Sequence, residues 1–399
     1  MEQYEGIAYA RIAFRDFYIL LDLDTVDHVL RKNQRNYVKS FAYDGLATIL
    51  GNGLLTNEGD DWLKQRRILQ PSFHKIALQK LANLMFTQTA EMIERWKSLP
   101  PGTELNITQE LLPLTQQILT QSLLGTEQKI PEAEKIGQLL PILRQYANNK
   151  MKNPLLLPLW VPTPGNRQFK QALTTLHRII EKIIQGEVIE GSLLAMMKES
   201  MPPKQIQDEV LTLYLAGQET TTAALSFIFH LLAYHPAEVA KIREEMEASA
   251  QDISPASIPS FVNLSNAIHE SLRLYPPAWA VSREAVAEDT LHGYPIASGS
   301  VIFVSIYALH HSPTYWDHPE RFLPDRFNAP LKEKRAYLPF GTGPRLCIGN
   351  HFALMEIQII VASILKAFRL EPVTPRHPDL ITPMTLSARE PIRVSIWPI

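Results

Sequence analysis

The sequence predicts a mainly α-helical protein of the α+β class. Three observations lead there. Long stretches carry apolar residues at spacings of three and four, the period of an amphipathic helix. Thirty prolines against only 17 glycines divide those stretches into segments, as in helices joined by proline-bounded turns. Short strand-like runs occur only near the start of the chain and after Pro277.

Taken in order, residues 7–24 read as two short strands around Arg15-Asp16, a hairpin. From about Thr25 to Ala250 helical patterns dominate, punctuated at Pro71, Pro100, Pro101, Pro131, Pro154, Pro162, Pro164, Pro202 and Pro203. The run 206–234 is apolar almost all round, with Val210, Leu211, Leu213, Leu215, Leu225, Phe227, Phe229 and Leu232, and a helix without a polar face is buried. Strands return at 290–296 and 301–306, with a last pair within 381–399. Strands from both parts of the chain pair with each other, so residues 1–399 form a single domain.

Composition narrows the function classes. The 399 residues are 45% hydrophobic and 20% charged, with 39 basic against 41 acidic side chains and a net charge of −2. That balance gives no reason to expect a nucleic-acid partner or an acidic membrane surface. No stretch approaches the roughly 20 apolar residues of a membrane span. The acidic start, Met1-Glu-Gln-Tyr-Glu, lacks the pattern of a secretory signal, and the expectation is a cytoplasmic protein.

The middle of the apolar helix is unusual. It reads Ala216-Gly-Gln-Glu-Thr-Thr-Thr222. Glycine costs about 0.8–1 kcal/mol inside a helix, and a buried carboxylate needs a partner or water. Such a local conflict marks either function or a kink, the kink satisfied by threonine hydroxyls that bond back to the preceding turn.

The single cysteine, Cys347, can form neither an internal disulfide nor a multi-cysteine zinc site. A lone cysteine is most often a small buried hydrophobe. Here Gly341, Gly343 and Gly349 bracket it and would let a flat cofactor approach the backbone. An apolar helical pattern follows from Asn350, so the thiol lies at or just before a helix amino terminus, where unpaired N–H groups favour a thiolate. An anionic sulfur on such a loop is what a thiolate-ligated haem iron requires.

The pattern FxxGxRxCxG, met at Phe340, Gly343, Arg345, Cys347 and Gly349, resembles the haem-ligand loop of the cytochrome P450 superfamily. The resemblance runs from about Gly6 to the end, with further motifs in the family's order. It implies a helical lobe plus a small β-rich lobe, with haem b (iron protoporphyrin IX) between the central helix and the cysteine loop, and Cys347 as the ligand to the metal. The segment from Ala216 is similar to the family's oxygen-activation motif. By position Glu219 is the acid and Thr220 the hydroxyl, and a hydroxyl with a water chain fed by a carboxylate supplies the protons that dioxygen cleavage consumes. Glu270-Ser-Leu-Arg273 resembles the family's Glu-x-x-Arg helix. Its arginine partner is Arg321 or Arg326, of which spacing and the following Phe327 favour Arg326. These three would lock the cysteine loop to the core. Trp62 and Arg66 match the Trp-x-x-x-Arg pair that clamps a haem propionate, and Arg283 and Arg345 are further propionate donors.

The implied activity is insertion of one oxygen atom from O₂ into a hydrophobic molecule by a monomer, with electrons from a ferredoxin or flavodoxin and its reductase. The resemblance places Phe41, Tyr43, Leu46, Leu213, Ala216, Thr220, Ala278, Trp279, Val281 and Met384 on the substrate pocket. The run Arg273-Leu-Tyr-Pro-Pro-Ala-Trp279 is similar to bacterial carotenoid-ring hydroxylases and in part to fatty-acid hydroxylases, which favours a carotenoid-like or fatty-acid substrate. The basic run Lys64, Arg67, His74 and Lys75 reads as a solvated helix face, and in the family this surface helps dock the electron donor. His310, His311, His351, His230 and His235 are set aside as ligands. The chain departs from the family in two places. Only 61 residues precede Trp62, so the usual first helix looks missing, and the segment 185–191 looks shortened. A peroxide-driven haem-thiolate enzyme and a catalytically silent haem protein are the alternatives, and retention of Glu219 and Thr220 favours O₂.

Overall fold

A computed structural model describes residues 6–12, 14–124, 133–152, 157–186, 192–249, 253–254 and 257–399. Pro131, Pro154, the acidic start 1–5 and most of the shortened segment, 187–191, lie outside the described residues.

The chain opens with β1 (Ile7–Ile12) and β2 (Arg15–Leu20), an antiparallel hairpin. Its turn falls earlier than expected, because Arg15 already pairs with Ile12 and Asp16 with Arg11. The Tyr9 hydroxyl donates to Asp16 Oδ1 at 2.8 Å and holds that register. There follow α1 (Leu23–Asp27), β3 (Tyr37–Lys39), α2 (Asp44–Leu50), α3 (Gly59–Leu69), α4 (Lys75–Lys97), β4 (Thr103–Asn106) and α5 (Ile107–Leu124). The helical lobe continues through α6 (Ala133–Lys152), α7 (Pro164–Gln185), α8 (Leu193–Ser200), α9 (Pro203–Tyr234), α10 (Pro236–Ala248) and α11 (Val262–Leu274). Then come β5 (Ala280–Ala285), β6 (Asp289–Leu291), β7 (Tyr294–Ile296), β8 (Val301–Ser305) and α12 (Ile306–His310). The last elements are α13 (Asn350–Ala367), β9 (Phe368–Pro372), β10 (Leu380–Ile381), β11 (Ser387–Ala388) and β12 (Arg393–Pro398).

The main sheet has the order β1-β2-β8-β5-β3, with β2 and β8 parallel and the other pairs antiparallel. A smaller sheet joins β4, β12 and β9. The expected strand 290–296 is instead a hairpin, β6 and β7, because His292 and Gly293 both take positive φ. The expected last pair also divides. β10 pairs with β11, while β12 leaves to lie between β4 and β9.

Among the described residues two large cores divide the molecule, with a small third cluster at Phe227, Leu386 and Ile392. The larger surrounds α9 and includes Leu211, Leu225, Ile228 and Phe229, with Ile360 and Val361 from α13. The smaller lies in the β-rich part around Leu20, Ile302, Val304, Trp316 and Leu338. Among the described residues no helix is long and apolar enough to cross a membrane.

The central helix α9 runs without interruption from Pro203 to Tyr234. Gly217 has a packing reason. A Cβ there would lie 2.8 Å from Leu119 Cδ1, and the glycine lets α5 approach α9 closely. The threonine hydroxyls bond back as anticipated, Thr220 Oγ1 to the Ala216 carbonyl at 2.7 Å and Thr222 Oγ1 to the Gln218 carbonyl at 2.8 Å. Although most of α9 is buried, Ala216 is exposed and Glu219 and Thr220 half-buried, so this one strip of the helix faces open space.

Candidate active site

Cys347 sits between a short turn at Gly343–Arg345 and the amino terminus of α13. Its amide donates to the Phe340 carbonyl at 3.0 Å, which closes the loop. Gly343 is obligatory, with φ +69 and a virtual Cβ 2.2 Å from the Leu30 carbonyl oxygen. That glycine therefore admits a neighbouring backbone, not a cofactor as the sequence led us to expect. Gly349 caps α13, and its N–H donates to the Cys347 sulfur.

The electrostatic expectation for the thiol needs correcting. Cys347 keeps accessible surface, yet enough protein surrounds it that burial pushes the thiol up; the Gly349 N–H and Arg66 pull it only part of the way back. Helix-terminus placement alone does not make a thiolate here, and coordination to a metal cation, which displaces the proton, would.

Around the loop lies a concentration of cations. The Arg345 guanidinium stacks 3.8 Å over the Trp62 ring, pairs with Glu58, and donates to the Asn57 carbonyl at 2.9 Å. Arg66, one turn beyond Trp62 on α3, donates to the Leu346 carbonyl at 2.9 Å. Arg283 on β5 pairs in register with Lys39 on β3. Burial, with Arg283 beside it, pushes Arg345 down to about 10. Burial next to Arg283 and Arg345 holds Lys39 well below the usual lysine range. Lys39, Arg283 and Arg345 thus converge, Arg66 acts on Cys347 in the adjoining loop, and among the described residues Glu58 is the carboxylate that acts on the cluster.

Such an excess of half-buried positive charge calls for an anionic partner. A haem brings two propionates and an iron that takes a soft sulfur ligand, so the donor set fits that group on both counts. Lys39 and Glu58 were missed in the sequence. A three-residue strand has no detectable period, and nothing local marks its lysine.

On α9, Glu219 Oε1 lies 2.9 Å from Arg144 Nη1 on α6. Arg144 supplies the partner that a carboxylate in this helix demands, and its place in an ordinary amphipathic helix gave no signal.

Behind the loop is a polar knot in which Glu270, Arg273 and His310 are fully buried. Arg273 donates through Nε to Glu270 Oε2 at 2.8 Å and through Nη2 to Glu270 Oε1 at 2.9 Å. Arg326 Nε reaches Glu270 Oε1 at 3.0 Å, whereas Arg321 offers only its carbonyl, to Arg273. The other donors of Arg273 go to the His310 and Pro319 carbonyls, each at 2.7 Å. His310, set aside in the sequence, joins this knot to the cysteine loop. Its Nε2 accepts the Leu338 N–H at 2.8 Å, which fixes the tautomer and leaves Nδ1–H to donate to the Arg273 carbonyl at 2.9 Å.

Burial pushes His310 down to about 3. A folded-state value below the unfolded one, about 6.5, means that stability is fully present above pH 6.5 and is lost as pH falls towards 3. We expect a slope of up to about 1.4 kcal/mol per pH unit in that window from this residue, with His230, His235 and His269 shifted the same way by burial. Urea midpoints measured between pH 7.5 and 5 check it, and a flat profile would contradict the neutral, buried imidazole.

A cavity of about 440 Å³ is lined by Phe41, Tyr43, Leu46, Trp279, Val281 and Met384, together with Ile12 and Ile19 of the first hairpin. Ala216, Thr220 and Ala278 are not on its wall. Leu213, placed on the pocket by the sequence, packs instead into the helical core. Of the basic run, Lys64 lies 3.5 Å from Asp61 with both exposed, and the side chain of Lys75 is outside the described residues.

The family model described as Cytochrome P450 matches residues 1–396. The chain is 33% identical over 358 residues to cyclooctat-9-en-7-ol 5-monooxygenase of Streptomyces melanosporofaciens, covering 86% of this chain and 77% of that one. Cyclooctatin synthase of the same organism is 31% identical over 82% of this chain and 74% of its own. Protein LUTEIN DEFICIENT 5, chloroplastic, of Arabidopsis thaliana is 26% identical over 98% of this chain and 72% of its own. A cysteine loop closed onto a ring of cations, on a helical lobe with small sheets, meets a family match that runs nearly end to end, and the chain accordingly belongs to the cytochrome P450 family, as a haem-iron monooxygenase that uses O₂, a small-molecule substrate and a separate redox partner.

Proposed function

We propose that the protein is a haem-b monooxygenase that inserts one oxygen atom into a hydrophobic, lipid-like molecule of carotenoid or fatty-acid type, with electrons from a ferredoxin or flavodoxin and its reductase. The observation that carries the substrate reading is the cavity. At about 440 Å³ it falls in the range of small-molecule sites, and Phe41, Leu46, Trp279, Val281 and Met384 make its wall apolar. Relatives named for cyclooctat-9-en-7-ol and for a lutein deficiency support a lipid-like substrate.

The residues divide the work by chemistry. Cys347 is the sulfur ligand, and bound haem would supply the activation of O₂. Arg66, Arg283, Arg345 and Lys39 hold the propionates, while Trp62 braces Arg345 by stacking. Phe340 and Gly349 fix the ligand loop through the Cys347 amide and sulfur. Glu219 and Thr220 move protons. The Thr220 hydroxyl donates back to Ala216, but its oxygen lone pairs remain open to a water. Glu219, held by the half-exposed Arg144, connects that position to bulk solvent.

The test compares two oxidant supplies on one lipid substrate. With reduced ferredoxin and O₂, Glu219→Gln is expected to lower turnover by about 10²–10⁴-fold, the usual worth of positioned acid–base catalysis. Peroxide brings its own protons, so peroxide-driven turnover of the variant stays near the wild-type level. Equal losses under both regimes would overturn the proton-delivery role, and turnover with peroxide alone would replace the O₂ reading.

A further inference from the structure

We infer that the substrate is a linear apolar molecule longer than the cavity, taken in by one end while the rest lies along the apolar face of the first hairpin. The inference rests on the reading of the cavity as the substrate site and selects among the molecules which that reading allows.

Of the residues on the cavity wall only Ala10, Ile12 and Ile19 are exposed, so the cavity meets solvent along the hairpin. The register shows which face this is. Ala8 lies opposite Ile19, Ala10 opposite Phe17 and Ile12 opposite Arg15, and directly opposed residues of an antiparallel pair share a face. The other face carries Tyr18 and Leu20, which pack into the smaller core. It also carries Tyr9, Arg11 and Asp16, of which the Tyr9 hydroxyl donates to Asp16 Oδ1.

An antiparallel sheet with one face on the core ordinarily turns polar side chains outward. Here the outward face is apolar. Ile12 is 59% exposed and Ile19 39%, and Phe14, at the turn beyond Ile12, is 94% exposed. The one charged side chain among the six, Arg15, is tied to Glu284 Oε2 at 2.8 Å, with its guanidinium 4.9 Å from the centre of the Phe41 ring. An exposed apolar surface that continues an apolar cavity marks a binding groove longer than the cavity itself.

The length of the occupant follows from the volume. An apolar cavity of about 150 Å³ takes up one benzene, so about 440 Å³ encloses roughly 18 carbons. A fatty acid of ordinary length is enclosed whole and leaves Ile12, Ile19 and Phe14 bare. A longer, carotenoid-like chain leaves by the exposed part of the wall and covers them, which removes apolar surface of both partners from water.

The experiment uses the haem-loaded protein and three linear isoprenoid alcohols, geraniol (C10), farnesol (C15) and a C30 polyprenol, each carried in cyclodextrin. Dissociation constants come from titration calorimetry for the wild type and for the double variant Ile12→Ser, Phe14→Ser. The ratio of the two at each length cancels the carrier. Both positions are exposed, so the variant should keep its fold, which an unaltered carbon-monoxide spectrum checks. The ratio is expected to stay near one for C10 and C15 and to reach roughly tenfold for C30, as apolar contact is lost at two side chains. A ratio near one at every length would overturn the inference. So would an equal loss at every length, which would make Ile12 part of the cavity wall alone. Wild-type protein that sediments with phosphatidylcholine vesicles, or dimerises, while the variant does neither and the C30 ratio stays near one, would assign the face to a membrane or to a second copy instead. Failure of C10 and C15 to bind the wild type would overturn the reading of the cavity itself, and the inference with it.

Discussion

Replacing Cys347 with serine is expected to abolish the strongly red-shifted Soret band of the dithionite-reduced, carbon-monoxide-bound protein, and turnover with it. The prediction has the largest effect because Cys347 is the only cysteine in the chain, and no second thiol can take its place. A serine hydroxyl keeps the size but is a hard and weakly acidic donor, poorly matched to an iron that is held by a soft thiolate. The rest of the site should survive. The Cys347 amide would still donate to Phe340, and Arg66, Arg283, Arg345 and Lys39 would still face the propionates. Haem is therefore expected to remain bound, more weakly, with an altered spectrum. A variant that retains the red-shifted band would show that Cys347 is not the ligand.

The second large effect is expected from Glu270. Its carboxylate, fully buried, accepts from Arg273, from Arg326 and from the Leu323 N–H at 3.0 Å. Glu270→Ala leaves the Arg273 guanidinium buried without its counter-charge. One-sided loss of a buried pair costs roughly 3–5 kcal/mol, a large share of the 5–15 kcal/mol by which folded proteins are stable. We expect protein recovered with little haem and a denaturation midpoint lowered to match. The contrast that tests the cause is Glu270→Leu combined with Arg273→Met and Arg326→Met. Removing the charges together avoids the uncompensated cation, and the triple variant should be more stable than the single one. A triple variant worse than Glu270→Ala would instead make the carbonyls of His310, Pro319 and Arg321, left without Arg273, the dominant cost.

Much of this architecture is legible in the sequence alone, for identifiable reasons. α9 announces itself because a helix buried over most of its surface has no continuous polar face to interrupt its apolar run. The cysteine loop is legible because its constraints are local. A positive φ at Gly343, a cap at Gly349 and an arginine two residues before the sulfur lie within a few residues of one another. What stays hidden depends on pairs distant in sequence. Lys39 matters only because β3 lies against β5, and Arg144 only because α6 brings it to Glu219. His310 has no assignable role until its two nitrogens are seen to join Leu338 to Arg273. The division of the last strands is equally hidden, since one partner of β12 lies at residues 103–106.

The sheet order carries a consequence for how the chain is made. β2 waits for β8, with Phe17 laid beside Val301, and Arg66 waits 280 residues for Leu346. During synthesis from the amino terminus, the first hairpin and the helix with Trp62 therefore emerge long before anything exists for them to grip. At about 5–20 residues per second that delay lasts on the order of tens of seconds, with Tyr18 and Leu20, both buried in the finished protein, uncovered throughout. Separations of this kind slow folding and favour aggregation, so recovery of the protein should depend on chaperones that shield its first seventy residues more than on any property of the finished site.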